Sequence, residues 1–127
     1  MRFRNDVPVF IQIADAFAAR IAAGELRDGE RLPSARDLAS ELEVNPATAA
    51  RALQRLADEG LAATERTCGY RVSAGARQAA LSSRRERLLG QTLASVAAEA
   101  RVLGISRTEL CRGLARAFAE PPEEPAD

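Results

Sequence analysis

Three helical stripes of apolar residues occupy the first half of the chain. Phe10, Ile13, Ala14, Phe17 and Ile21 fall at steps of three and four, the spacing of one buried helix face. This pattern predicts a helix that opens at Pro8, runs to about Ala23 and ends at Gly24. Leu38, Ala39 and Leu42 make a shorter stripe. Ser34 stands before it as an N-cap, with Asp37 three residues on, where a carboxylate favours the positive helix end. Val44 follows as the apolar plug of a turn. Asn45 is then a second N-cap, and Pro46 sits at the first helical position, where its missing N–H costs nothing. Ala49, Ala52, Leu53 and Leu56 repeat at i, i+3, i+4 and i+7, and Gly60 stops the helix.

The outer face of that third helix carries Ala47, Thr48, Ala50, Arg51, Gln54 and Arg55. It holds no acid before Asp58. Two short helices joined by a tight turn, the second basic on its outer side, form the layout of a helix-turn-helix. Arginine suits such a face because its planar fork bonds guanine bidentately or grips a phosphate. The plainer alternative is a helical hairpin with Arg51 and Arg55 simply solvated.

After Gly60 the period shortens to two. Leu61–Glu65 and Tyr70–Val72 read as short strands around Arg66-Thr67-Cys68-Gly69, a winged hairpin. Ser73-Ala74-Gly75 reads as a linker. From about Ala76 to Leu103 the chain predicts one long helix, on which Leu89, Leu93, Val96, Ala100 and Leu103 form a heptad seam. Gly104 breaks it. Ser106, with Glu109 three on, caps a last helix whose apolar side is Leu110, Leu114, Ala117 and Phe118. The proline- and glutamate-rich end, 121–127, reads as a disordered tail. The expected fold is mostly α with a small β-hairpin. Residues 1–75 form a winged helix-turn-helix domain, and 76–120 a short two-helix dimerisation region, because two helices with an apolar seam need a partner to bury it.

Composition limits the chemistry. The 127-residue chain has 18 basic residues, all arginine, against 18 acids. Nucleic-acid modules usually show a basic balance, so a DNA-binding face must be basic in space and not in sequence. There is no histidine, which removes a histidine base and a Cys/His metal site. No nucleophile–base pair, phosphate loop or paired-carboxylate motif is present, so an enzyme is not expected, and neither is a cofactor or a bound metal. With no signal peptide, membrane span or lipidation motif, the expected location is the cytoplasm. Cys68 and Cys111 lie far apart, and Cys111 is expected to pack within the last helix.

Residues 8–72 resemble the DNA-binding domain of the GntR family of bacterial transcription regulators. The resemblance rests on Pro8-Val9-Phe10-Ile11-Gln12-Ile13-Ala14, Gly24-Glu25-Leu26, Gly29-Glu30-Arg31-Leu32-Pro33-Ser34, Arg36-Asp37-Leu38-Ala39, Val44-Asn45-Pro46-Ala47-Thr48 and Leu53-Gln54-Arg55-Leu56-Ala57-Asp58-Glu59-Gly60-Leu61. It implies contact with DNA by Arg36 near the start of the propping helix, together with Ser34, Asn45, Thr48, Arg51 and Arg55. In the wing, Gly69 matches the second of two usual glycines, while Thr67 stands at the first. Arg66, Gly69 and Arg71 are the wing candidates. Pro46 and Ala50 occupy positions where many members carry arginine, so base reading is expected to be sparse, with more weight on DNA shape.

Only about fifty residues follow the wing. The Asn45-Pro46 start of the recognition helix and the phrase Leu103-Gly104-Ile105-Ser106-Arg107-Thr108-Glu109-Leu110 resemble the YtrA subfamily, in which two short helices make the dimer and the controlled genes often include an ABC transporter. The resemblance implies a homodimeric repressor on an inverted-repeat operator, joined through Leu89, Leu93, Val96, Ala100, Leu103, Leu110, Leu114 and Phe118. No polar cluster names a small-molecule effector. The alternatives are a regulator that senses oxidants through Cys68 or a ligand in an intersubunit pocket, and a winged helix used for protein–protein contact.

Overall fold

Ser34 and Asn45 start their helices as the sequence predicts. Ser34 Oγ accepts from the backbone N–H of Asp37 at 3.1 Å, and Asn45 Oδ1 from that of Ala47 at 2.8 Å. Each cap of this kind contributes about 1 kcal/mol. The computed structural model describes residues 1–65 and 69–120. In chain order its elements are α1 (Val9–Ala22), α2 (Ala35–Leu42), α3 (Pro46–Asp58), β1 (Ala62–Glu65), β2 (Gly69–Val72), α4 (Ala76–Arg87), a π turn over Leu88–Thr92, α5 (Leu93–Leu103) and α6 (Arg107–Ala119). The protein is mostly helical, with one two-stranded antiparallel hairpin. No helix among the described residues is long and apolar enough to cross a membrane. The expected wing residues Arg66, Thr67 and Cys68, and the tail 121–127, lie outside the described residues.

The chain divides into two compact units after Arg85. In the first, the stripe of α1 is the floor. Ile13, Phe17 and Ile21 are buried beneath Leu38 of α2 and Leu53 and Leu56 of α3. Ala49 and Ala52 are fully buried. Their small side chains let α3 lie close against α1, which larger residues would prevent. Leu61, Ala62 and Val72 close the core under the hairpin. Gly60 makes the turn into β1 in the left-handed region, at φ +78°, where a side chain is costly. The N–H of Leu61 reaches back to Leu56 O at 2.9 Å, a hydrogen-bonded helix end.

The hairpin pairs Ala62 with Val72, Ala63 with Arg71, Thr64 with Tyr70 and Glu65 with Gly69. The other edge of β2 is also occupied. Leu32 N–H donates to Tyr70 O, and Val72 N–H to Glu30 O, both at 2.9 Å. The segment before α2 therefore docks on the hairpin and fixes it to the domain.

Two features of this unit go beyond the sequence reading. The residues before Pro8 carry no helix or strand pattern, yet the Gln12 amide holds them. It accepts from Arg4 N–H at 2.8 Å and donates to Arg4 O at 2.8 Å and Val7 O at 2.7 Å, while Phe3 packs against the core. The first turns of α4 also belong here. Ala76 and Ala80 are buried in the same core. Arg77 Nε donates to Ala22 O, and Arg84 pairs with Asp15, each at 3.2 Å.

In the second unit, α5 ends at Gly104, at φ +70°, and the N–H of Ile105 bonds Ala100 O at 2.9 Å. Ser106 Oγ caps α6 by accepting from Glu109 N–H at 3.1 Å. The uniform helix predicted over 76–103 contains the π turn. There the N–H of Leu93 reaches Leu88 O, one residue beyond the α-helical partner. Ala100 is the one buried apolar side chain among the described residues from Glu86 on. Cys111, expected to pack, is exposed. No side chain of α6 is fully buried, so lying on this helix does not cover the thiol.

Candidate nucleic-acid interface

The candidate surface is built outward from Ala49, Ala52, Leu53 and Leu56, which anchor α3 to the core. What remains faces solvent. Ala47, Ala50, Arg51, Gln54 and Arg55 are exposed and Thr48 is half-buried. The basic residues on this face are held in different ways.

Arg51 stacks its guanidinium over the Phe10 ring, 4.0 Å from the centroid. This is a close cation–π arrangement, and it leaves the planar edges of the guanidinium available for hydrogen bonds. Arg55 pairs with Glu59 one turn on, at 2.7 Å. On the hairpin, Arg71 pairs with Glu65 and also donates from Nη1 to Gly29 O at 2.9 Å. Arg55 and Arg71 are thus partly neutralised within the chain. Arg36, in the first turn of α2, is exposed, with no partner among the described residues.

The remaining candidates have their own positions. Ser34 and Asn45 are exposed, and each spends one acceptor on its cap. The cap uses the Asn45 carbonyl oxygen and leaves its amide N–H₂ group able to donate. Gly69, the first residue of β2, is exposed. It takes φ +77°, and no heavy atom lies within 4 Å of where a side chain would begin, so backbone is accessible there. Arg66 lies outside the described residues, as does Cys68 and with it the proposed redox site.

Two residues, Phe10 and Glu59, join this surface without a signal in the sequence pattern, and Gln54, which the pattern does place on the outer face of α3, makes bonds the pattern does not announce. Phe10 read as part of the α1 core stripe, but it is only half-buried and carries Arg51. Gln54 accepts from Tyr70 Oη at 3.1 Å and donates to Asp58 Oδ1 at 2.9 Å, which joins α3 to β2. Glu59, at the C-cap of α3, is the counter-ion of Arg55. These pairs bring together residues distant in sequence, or one turn apart, and no motif announces them.

The residues proposed for self-association lie in the second unit. Leu89, Leu93, Val96, Leu103, Leu114 and Phe118 are exposed, Phe118 at 83%. Leu110 is half-buried and Ala100 buried. Val96, Ala100, Leu103, Ile105 and Leu110, with the polar Ser95 and Glu99, line a groove of about 440 Å³. Eight large apolar side chains left in solvent across Leu88–Phe118, on a unit with so small a core, are a surface that needs covering.

Residues 11–72 match the sequence model of the bacterial regulatory proteins of the gntR family. That span runs from α1 through β2. The chain is 28% identical over 119 residues to the HTH-type transcriptional regulator YhcF of Bacillus subtilis, covering 94% of this chain and 96% of that protein. It is 32% identical over 74 residues to the HTH-type transcriptional repressor YtrA of the same organism, which is 58% of this chain and 57% of that protein. Among solved structures, YtrA from Sulfolobus acidocaldarius, a GntR-family transcription factor, is 30% identical, with a TM-score of 0.56 covering 94% of this chain and 95% of that one.

Proposed function

This chain belongs to the GntR family of bacterial DNA-binding transcription regulators, in its YtrA-like branch, and from that premise we propose that it is a cytoplasmic homodimeric repressor. Its target is an inverted-repeat operator before an operon, which the subfamily resemblance suggests includes an ABC transporter. As a family member it is a regulator and not an enzyme. The observation that carries the DNA-reading proposal is the outer face of α3, exposed and without an acid from Pro46 to Gln54.

In this reading α3 lies in the major groove, with Arg51 reaching a base edge. Arg36, Ser34, Asn45 and Thr48 contact the flanking phosphates and set the register. Arg55, Gly69 and Arg71 make the outer contacts. Repression is the mode named for the similar YtrA of Bacillus subtilis. The exposed leucines of α5 and α6 support the dimer, since a two-fold pair of such helices buries both apolar sides at once.

Selection of bound fragments from a random duplex pool, at near-physiological salt, tests the reading. An enriched inverted repeat is expected, and its half-site spacing would report the separation of the two α3 helices. Enrichment of a single half-site, with a monomer in sedimentation at micromolar concentration, would remove the dimer. No enrichment at all would remove the sequence-reading role.

A further inference from the structure

The three arginines of α3 and β2 that the structure describes are immobilised by two different means. Arg55 and Arg71 are held by the carboxylates of Glu59 and Glu65. Arg51 is held by the ring of Phe10, at 4.0 Å, with no ion pair among the described residues. A carboxylate fixes a guanidinium but cancels much of its charge and takes up its N–H groups. An aromatic face fixes it while leaving the charge and the N–H edges intact.

We propose that Phe10, on α1, is a positioning residue for DNA reading: its ring presents the Arg51 guanidinium, charged and already ordered, to the duplex. This rests on the reading that Arg51 contacts DNA. The position fits the role. Phe10 is half-buried and packs partly on the core, which restrains the ring, while Arg51 on the facing helix is exposed. A free arginine side chain loses rotamer freedom when it binds, and one held in place beforehand loses less.

The test uses the duplex selected from the random pool, an unrelated duplex, and five proteins: wild type, Phe10→Tyr, Phe10→Leu, Arg51→Ala and the Phe10→Leu/Arg51→Ala double variant. Phe10→Tyr keeps a ring face and should bind like wild type. Phe10→Leu keeps apolar bulk without a ring and should weaken binding to the selected duplex by about three- to tenfold, the effect of freeing one side chain. In the Arg51→Ala background the same change should cost nothing further. The Arg51 Nε–H resonance, shifted upfield by the ring current in wild type, should return to its ordinary position in Phe10→Leu. Thermal melting of each variant separates loss of fold from loss of contact, and Phe10→Met replaces Phe10→Leu if the latter unfolds.

Additive losses in the double variant, or unchanged or tighter binding by Phe10→Leu, would overturn the proposal. Arg51→Ala without effect on the selected duplex would remove Arg51 from the interface, and the premise with it. Arg51→Ala with a loss, beside a silent Phe10→Leu, would remove only the role of Phe10.

Discussion

Tyr70 Oη donates to Gln54 Oε1 at 3.1 Å, and the same amide donates from Nε2 to Asp58 Oδ1 at 2.9 Å. The second bond fixes which way the Gln54 amide is turned, so that its oxygen faces the phenol. A residue of β2 is thereby tied to the outer face of α3. The hairpin is also held from its other side by the backbone of Glu30 and Leu32. Hairpin and α3 are thus tied into one frame, which suits the proposal that both engage DNA.

Tyr70→Phe removes that hydroxyl and keeps the ring. The bond is partly exposed, so the expected loss of stability is only about 0.5–1 kcal/mol. Affinity for a selected duplex should fall further than affinity for random DNA, because register between wing and helix matters only where both are read. Parallel binding titrations on the two duplexes measure this. An equal fall on both would show that Tyr70 supports the fold alone.

The caps and stops of this domain were legible because each is local. Ser34, Asn45 and Ser106 each announce a helix within a few residues, and each accepts the expected backbone bond. Gly60 and Gly104 end theirs in the left-handed region. What stayed hidden depends on residues far apart. Phe10 and Arg51 are on different helices, as are Asp15 and Arg84, and a periodicity argument assigns each residue to a face without saying what it meets there. The docking of Ala76 and Ala80 was missed because alanine marks a close approach only after the partner surface is known. The π turn leaves no mark in the apolar pattern, since a one-residue slip in the hydrogen-bond ladder changes no side chain's character.

Arg55 and Glu59 make a pair at 2.7 Å on α3, the helix proposed to face DNA, with both side chains more than a third exposed. Such a pair adds only about 0.3–0.5 kcal/mol to the helix. Its larger effect is on the ligand. Glu59 is a negative charge near the proposed phosphate path and occupies Arg55. Glu59→Gln should therefore tighten binding to selected and random duplexes alike, by about two- to fivefold at low salt, with the gain shrinking as salt rises. Fluorescence anisotropy at two ionic strengths would show it. Identical affinities at low salt would place Arg55 away from the DNA.

Glu43 closes α2 in the left-handed region, at φ 54°, and is the one described non-glycine residue with positive φ. The turn needs this conformation, because it lets the N–H of Val44 return to Ala39 O at 3.0 Å. A Cβ there costs roughly 1–2 kcal/mol, partly offset by the lower entropy of a non-glycine unfolded chain. Glu43→Gly should stabilise the protein by about 0.5–1 kcal/mol, read as a higher urea midpoint with unchanged slope. Nothing in the structure explains why the chain keeps a glutamate here.

The second unit leaves Leu103 61% exposed, Leu114 54% and Phe118 83%, on helices whose one buried apolar side chain is Ala100. Burying side chains of this size contributes about 1.5–3 kcal/mol each, so several of them on each side of a two-fold contact outweigh the rotational and translational cost of pairing. Replacing Leu103 and Leu114 together by glutamate should yield a monomer in sedimentation at concentrations where the wild type is a dimer. The wild-type melting temperature should rise with protein concentration and the variant's should not. DNA affinity gives a second reading of the same change. A dimer engages its second half-site at high effective concentration, so the monomer should lose about a hundredfold or more on an inverted repeat. On a duplex carrying one half-site the two proteins should bind alike, because the residues of α3 are untouched. A variant that stays dimeric would place the contact elsewhere. One that becomes monomeric yet holds the inverted repeat as tightly would show that the two winged domains bind DNA independently.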